Sequence, residues 1–167
     1  MSKLIAFYRG EGTDARGRTL AEVGAFSDGR MEAVHDFIQW LFPLRESSRF
    51  NPDAPLLTDA DVAAFRAEPA LREALRASLV RFLAFLGLAI EGERVVEGTE
   101  FALKADVWRF PNHNWLRITR VLASTRTLGL EAESAAVFVA LKKLRDGGET
   151  GIEAPTFAYW SATQRDL

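Results

Sequence analysis

With 167 residues, of which 48% are hydrophobic and 26% charged, the chain is long enough to bury a core without covalent staples and too apolar to be disordered. A formal net charge of −2 gives no overall attraction to nucleic acid or to an anionic membrane, so neither is expected as a partner. The absence of cysteine excludes disulfides, thiol nucleophiles and thiolate metal sites, and fits a reducing, cytoplasmic location.

The apolar run at 4–7 is too short for a signal-peptide core, and the apolar stretch around 79–88 is interrupted by Arg81 and stopped by Gly87, too short to cross a bilayer. Residues 1–18 read as an N-terminal loop segment, because Gly10, Gly12 and a dense run of charges do not suit the interior of an element. Thr19 and Glu22 form the spacing of a capping box, which starts a short helix reaching about Phe26. Residues 28–42 read as a single helix. Met31, Val34, Phe37, Ile38, Leu41 and Phe42 make its apolar stripe, Trp40 lies at the edge, and Glu32, His35, Asp36 and Gln39 share a polar arc. Asp28 is placed to cap this helix and Pro43 to end it.

Residues 43–57 contain three prolines and no sustained period, which predicts a long ordered connection. Thr58 caps the next helix, to about Ala67, with Asp59 and Asp61 in its first turn. Pro69 opens a longer helix whose buried face carries Leu71, Leu75, Ser78, Leu79, Phe82, Phe85 and Leu86, and Gly87 stops it. Between 88 and 110 the pattern leaves two readings open: irregular chain, or a small β-hairpin pairing Val95-Val96 with Phe101 and Leu103. Asn112 or Asn114 caps a helix to Leu128 whose inward face is Trp115, Ile118, Val121, Leu122, Thr125 and Leu128, while His113, Arg117, Arg120 and Ser124 gather into a polar surface. A helix over 131–145 is expected to bury Ala135, Phe138, Leu141 and Leu144. A flexible connector at 146–151 leads to a final helix, 155–163, that returns Phe157, Tyr159 and Trp160 to the body. The fold class is therefore mainly α: a single compact domain of about six or seven helices, with a long Pro-rich loop after the second helix and a small hairpin near 88–110 as an open element.

Two stretches are more particular than an amphipathic helix requires: HDFIQWLFPLRE at 35–46 and NHNWLRITRVL at 112–122. Together they make the chain resemble the conserved region of the opioid growth factor receptor family, from Phe7-Tyr8-Arg9 through to Phe157, Tyr159 and Trp160. The resemblance implies a binding or interaction domain, and, since the family is named for receptors of an enkephalin pentapeptide, peptide binding. The chain is nearly all conserved region. Its seventeen arginines against four lysines point to a GC-rich genome and a bacterial stand-alone homologue.

The candidate ligand-binding residues are Tyr8, Arg9, His35, Gln39, Trp40, Arg45, His113, Asn114, Arg117 and Arg120. Forked guanidinium groups recognise carboxylate or phosphate, and Arg9, Arg45, Arg49, Arg117 and Arg120 all lie in or beside the motif segments; a convergence of these would make a small-anion site walled by Tyr8 or Trp40. The competing reading is structural, with Arg45 pairing Glu46 or an acidic helix face. Trp40 is read as a core tryptophan or, at the edge of its stripe, as an anchor for a partner. An enzyme using His35 or His113 is the remaining alternative, but no nucleophile elbow and no metal-ligand spacing accompanies either histidine. Accordingly no catalytic residue, metal or cofactor is assigned, and the expected partner is a peptide or a protein.

Overall fold

A computed structural model describes residues 1–165 and is mainly helical, with ten α-helices among the described residues and one two-stranded antiparallel hairpin. The chain is organised in two compact units, Met1–Arg81 and Phe82–Leu167. No helix among the described residues is long and apolar enough to cross a membrane.

The first unit contains α1 (Lys3–Tyr8), α2 (Leu20–Gly24), α3 (Asp28–Ala33), α4 (Ile38–Leu41), α5 (Asp59–Ala67) and most of α6 (Pro69–Phe85). The N-terminal segment is thus not all loop. Ser2 caps α1 by accepting from the Ile5 N–H, and α1 buries Leu4, Ile5, Phe7 and Tyr8. Gly10, at φ 74°, ends it: the Glu11 N–H reaches back to the Ala6 carbonyl at 2.9 Å and the Gly10 N–H to the Phe7 carbonyl at 3.1 Å, a closure that favours a residue without Cβ. The capping boxes of α2, with Thr19 and Glu22, and of α5, with Thr58 and Asp61, are both formed.

The expected helix over 28–42 is broken in two. Its cap is Ser27 rather than Asp28, and Val34 turns to extended backbone at φ −97°, ψ 131°. The chain resumes as the four-residue α4, which ends before Pro43 as expected. The break is stable because side chains take over the lost backbone pairing: Gln39 donates to the His35 carbonyl at 3.3 Å and Asn51 to the Asp36 carbonyl at 3.3 Å. Asp36, drawn off the polar arc, accepts from Arg16 at 2.9 Å and Arg18 at 2.8 Å.

Burial on its own would raise the Asp36 pKa, but the hydrogen bonds from Arg18 and Arg16 outweigh it and hold the carboxyl below its usual range. Asp61 behaves alike, burial being outweighed by bonds from Ser2 and Thr58. A folded-state pKa below that of the unfolded chain adds stability that is present above the unfolded value and lost as pH falls through the folded one. Urea midpoints should therefore not vary with pH through these groups near neutrality, where their contribution is fully present, and should drop below about pH 4, and Asp36→Asn should flatten that acid limb while lowering stability at pH 7. A limb of equal steepness in the variant would count against this assignment.

The second unit carries the end of α6, β1 (Leu88–Glu91), β2 (Arg94–Glu97), a 3₁₀ turn (Phe101–Lys104), α7 (Ala105–Arg109), α8 (His113–Thr127), α9 (Glu131–Asp146) and α10 (Ala154–Ala162). The hairpin exists, but its pairs are Leu88 with Glu97 through Glu91 with Arg94; Phe101 and Leu103 lie in the 3₁₀ turn instead. Helix α8 packs against α9, α9 also against β2, and α10 against both helices.

Asn112 caps α8, and the expected inward face of that helix is buried throughout. The opposite polar surface is not on the outside, however: Arg117 is 5% exposed and Ser124 fully buried. In α9 the buried positions are Ser134, Val137, Ala140 and Leu141, so the stripe is rotated from the expected one and Ala135 faces solvent. Ser134 explains the shift, because its hydroxyl donates to the Leu122 carbonyl at 2.9 Å and so can sit inside. Of the terminal aromatics, Trp160 is fully buried and Phe157 stacks on Phe138 at 5.3 Å, while Tyr159 is exposed.

Candidate functional site

Helix α1, the loop that follows it, Trp40 of α4 and the Pro-rich connection build one recess within the first unit. Phe7 and Trp40 meet edge to face at 5.3 Å, and Tyr8 meets Phe65 at 4.9 Å, so the two elements are locked through aromatic side chains. The Tyr8 hydroxyl donates to the Leu41 carbonyl. Burial pushes the Tyr8 phenol well above its ordinary pKa, against a smaller opposing hydrogen bond with Ser78, so it remains a neutral donor.

Beside this aromatic lock the loop after α1 is wound around Asp14. That carboxylate is 4% exposed and accepts from the backbone N–H groups of Arg16 (2.9 Å) and Arg18 (3.0 Å) and from Arg18 Nε (2.6 Å). Arg18 in turn reaches Asp36, so one guanidinium ties the loop to the break in the signature segment. Between loop, helix and the Pro-rich connection lies a recess of about 380 Å³, lined by Lys3, Ala6, Thr13, Asp14, Trp40 and Asp53, with Ala15 and Pro55 at its sides. That volume suits a few amino-acid residues or a small molecule.

Trp40 is a core residue at 3% exposure, yet it also lines this recess. Its indole N–H is buried without an acceptor. The other three tryptophans all donate: Trp108 to the Leu86 carbonyl at 3.1 Å, Trp115 to Val107 at 2.9 Å and Trp160 to Trp115 at 3.2 Å. Buried N–H groups nearly always find a partner, and one left unmet costs about 1–3 kcal/mol.

The remaining candidates are distributed as follows. Arg9 is joined to Glu68 by two contacts of 2.8 Å, a fork that raises its pKa further, and Arg45 pairs with Asp59 in the first turn of α5 at 2.5 Å. His35 is exposed in the break, and Gln39 is buried, also accepting from Asn51 at 3.4 Å. His113, Asn114, Arg117 and Arg120 belong to α8 in the second unit. There Asn114 is 2% exposed and accepts from Arg117 at 3.2 Å, and His113 and Arg120 are half-buried. Among the described residues no three His, Cys, Asp or Glu side chains are grouped to hold a metal.

Sequence reasoning did not single out Lys3, Thr13, Asp14 or Asp53. Asp14 had a readable signal: an aspartate two residues before an arginine and three before Gly17, which takes φ 78°, is the composition of a side-chain-stabilised turn.

Residues 24–166, across both units, match the family profile described as the opioid growth factor receptor (OGFr) conserved region. The chain belongs to this family. It is 39% identical to the human opioid growth factor receptor over 108 residues, which cover 60% of this chain and 15% of the receptor. The mouse opioid growth factor receptor is 38% identical over 104 residues, 60% of this chain and 16% of that protein. Mouse opioid growth factor receptor-like protein 1 is 32% identical over 148 residues, 82% of this chain and 30% of that protein. The chain thus spans less than a third of the length of these relatives. No solved structure matches the chain. The family's relatives are named as receptors rather than as enzymes.

Proposed function

We propose that the chain is a peptide-binding or interaction module, one domain of the opioid growth factor receptor conserved-region family, and that the recess beside Trp40 receives its ligand. The observation that carries the site is the contrast among tryptophans: the one lining a recess is the one whose buried N–H lacks an acceptor. Membership of a family named for receptors supports binding over catalysis. The arginine-rich composition supports a bacterial source, in which the physiological ligand is a peptide other than an opioid. In the first unit the anion-site reading is less favoured, because Arg9 and Arg45 already engage Glu68 and Asp59.

A thermal-shift screen of the full chain against peptides, nucleotides, phosphate and divalent cations tests this. A peptide at a hundredfold excess over its Kd should raise Tm by about 5–10 °C. Ala15→Trp, which places a large ring at the side of the recess from an exposed position, should abolish the rise without lowering the Tm of the free protein. No rise with any peptide, or a rise that Ala15→Trp leaves intact, would refute the assignment.

A further inference from the structure

We propose that the outward face of α10 is a self-association surface, on which a second copy of this chain docks through its own α10 in antiparallel register. The helix, APTFAYWSA, carries no charged residue. A helix that is largely apolar on every side is ordinarily buried on every side. Within the described residues one side of α10 is covered: Phe157 stacks on Phe138, Trp160 meets Trp115 edge to face at 6.2 Å, and just past the helix Gln164 donates to the Ser134 hydroxyl at 3.0 Å. Pro155, Ala158, Tyr159 and Ala162, spaced i, i+3, i+4 and i+7, form the opposite stripe and are all exposed, Tyr159 at 69%. Two further exposed apolar side chains belong to the segments that hold the helix. They are Phe110, whose backbone passes the connector at Gly151, and Leu116, next to Trp115, whose carbonyl accepts from the Trp160 indole at 3.2 Å.

The placement of charge identifies the occupant as a second copy. A two-fold interface brings each patch against itself, so a charge inside it would face its own like, and this stripe has none. The charges stand at the ends instead, Glu153 before the helix and Arg165 after it, both exposed and equidistant in sequence from Tyr159. Antiparallel helices crossing at Tyr159 therefore set Glu153 of each copy beside Arg165 of the other and lay each positive helix end against a negative one. A parallel pairing would set glutamate against glutamate and arginine against arginine. Ala158 and Ala162 let the backbones approach, and the Tyr159 ring supplies rigid apolar area with a hydroxyl that can stay at the rim. Six side chains are far fewer than the roughly 20–30 residues a side of a standard interface, so the dimer is weak and reversible, with a Kd in the micromolar range.

Sedimentation velocity of the full chain, over a concentration series into the sub-millimolar range, should show a monomer–dimer equilibrium. Tyr159→Glu, which sets two carboxylates against each other across the axis, should leave only monomer. Glu153→Arg and Arg165→Glu should each weaken self-association about tenfold, because each turns both end contacts repulsive, while an equimolar mixture of the two restores both contacts in a heterodimer of parental affinity. Recovery in the mixture is the decisive result, because a fold damaged by either substitution does not regain affinity on mixing. A chain monomeric throughout the series, or a dimer indifferent to Tyr159→Glu, would overturn the proposal. A dimer lost with Tyr159→Glu but unchanged by both charge reversals would overturn the antiparallel register. A monomer that sediments with phospholipid vesicles through Tyr159 would assign the face to a membrane and likewise overturn the second copy.

Discussion

Gly151→Ala is expected to destabilise the protein by about 3 kcal/mol, a cost typical of severe overpacking. A Cβ at this position would lie 2.0 Å from the Arg109 carbonyl oxygen and 2.8 Å from its carbon. Both are rigid backbone atoms, so no rotamer change relieves the overlap. The chains must separate, and the Gly151 N–H bond to the Trp108 carbonyl, 2.8 Å in the native fold, lengthens or breaks. The displacement acts on the buried Ile152 next in sequence and on α10, which carries the fully buried Trp160. Gly147→Ala is the control. Its φ is −68°, its Cβ would meet the Lys143 carbonyl oxygen no closer than 3.4 Å, and a change within about 0.5 kcal/mol is expected. Urea unfolding of the two variants decides the matter: equal midpoints would mean that the close approach at Gly151 is not a constraint.

Asp14→Ala is expected to cost about 3 kcal/mol, because it strips a buried carboxylate from a guanidinium and from two backbone donors together. The loss falls short of that for a wholly orphaned buried charge because Arg18 keeps Asp36 at 2.8 Å. Asp14→Asn retains an oxygen for the Arg16 and Arg18 N–H groups, and so should cost about half as much. The functional consequence is separable from the energetic one. In Asp14→Asn the loop backbone is held but the pull on Arg18 weakens, so ligand binding should fall through altered recess shape, while Lys3→Gln, which removes none of the Asp14 hydrogen bonds, should reduce binding with no change in stability. If Asp14→Ala unfolds at the same urea concentration as the parent, the carboxylate does not organise the loop.

The parts of this structure that local chemistry controls were legible in the residues. Capping boxes at Thr19 and Thr58, the Asn112 cap, the buried face of α6 and the stop before Pro43 each depend on groups within a few positions of one another. The break at Val34 was not legible, since the periodicity of 28–42 is that of one helix. What makes the break cheaper than continuity is tertiary: Arg16 and Arg18 reach it from elsewhere in the chain and hold the Asp36 carboxylate, and Asn51 takes the Asp36 carbonyl that a continuous helix would have paired itself. The rotation of α9 had the same origin in the Ser134 bond to Leu122.

The candidate site was half legible. Trp40 and the aromatic pair of α1 could be named from the motif, but Lys3, Asp14 and Asp53 join it only through the path of two loops, which no spacing announces. The glycines of 146–151 show the limit most plainly: identical in composition, Gly147 is permissive and Gly151 is pinned, because only the second lies against another backbone.

The divided signature helix has a bearing on how the motif can be handled in the laboratory. A synthetic peptide of residues 35–46 would hold one helical turn, too little to repay nucleation, and would lack Arg16 and Arg18, which hold the Asp36 carboxylate, and Asn51, which holds the Asp36 carbonyl. Antibodies raised against such a peptide should recognise denatured protein on a blot and fail to precipitate the native form. The segment most easily identified by its letters is the one least able to exist by itself, and what is inherited with it is a circuit of three chain segments rather than a detachable word.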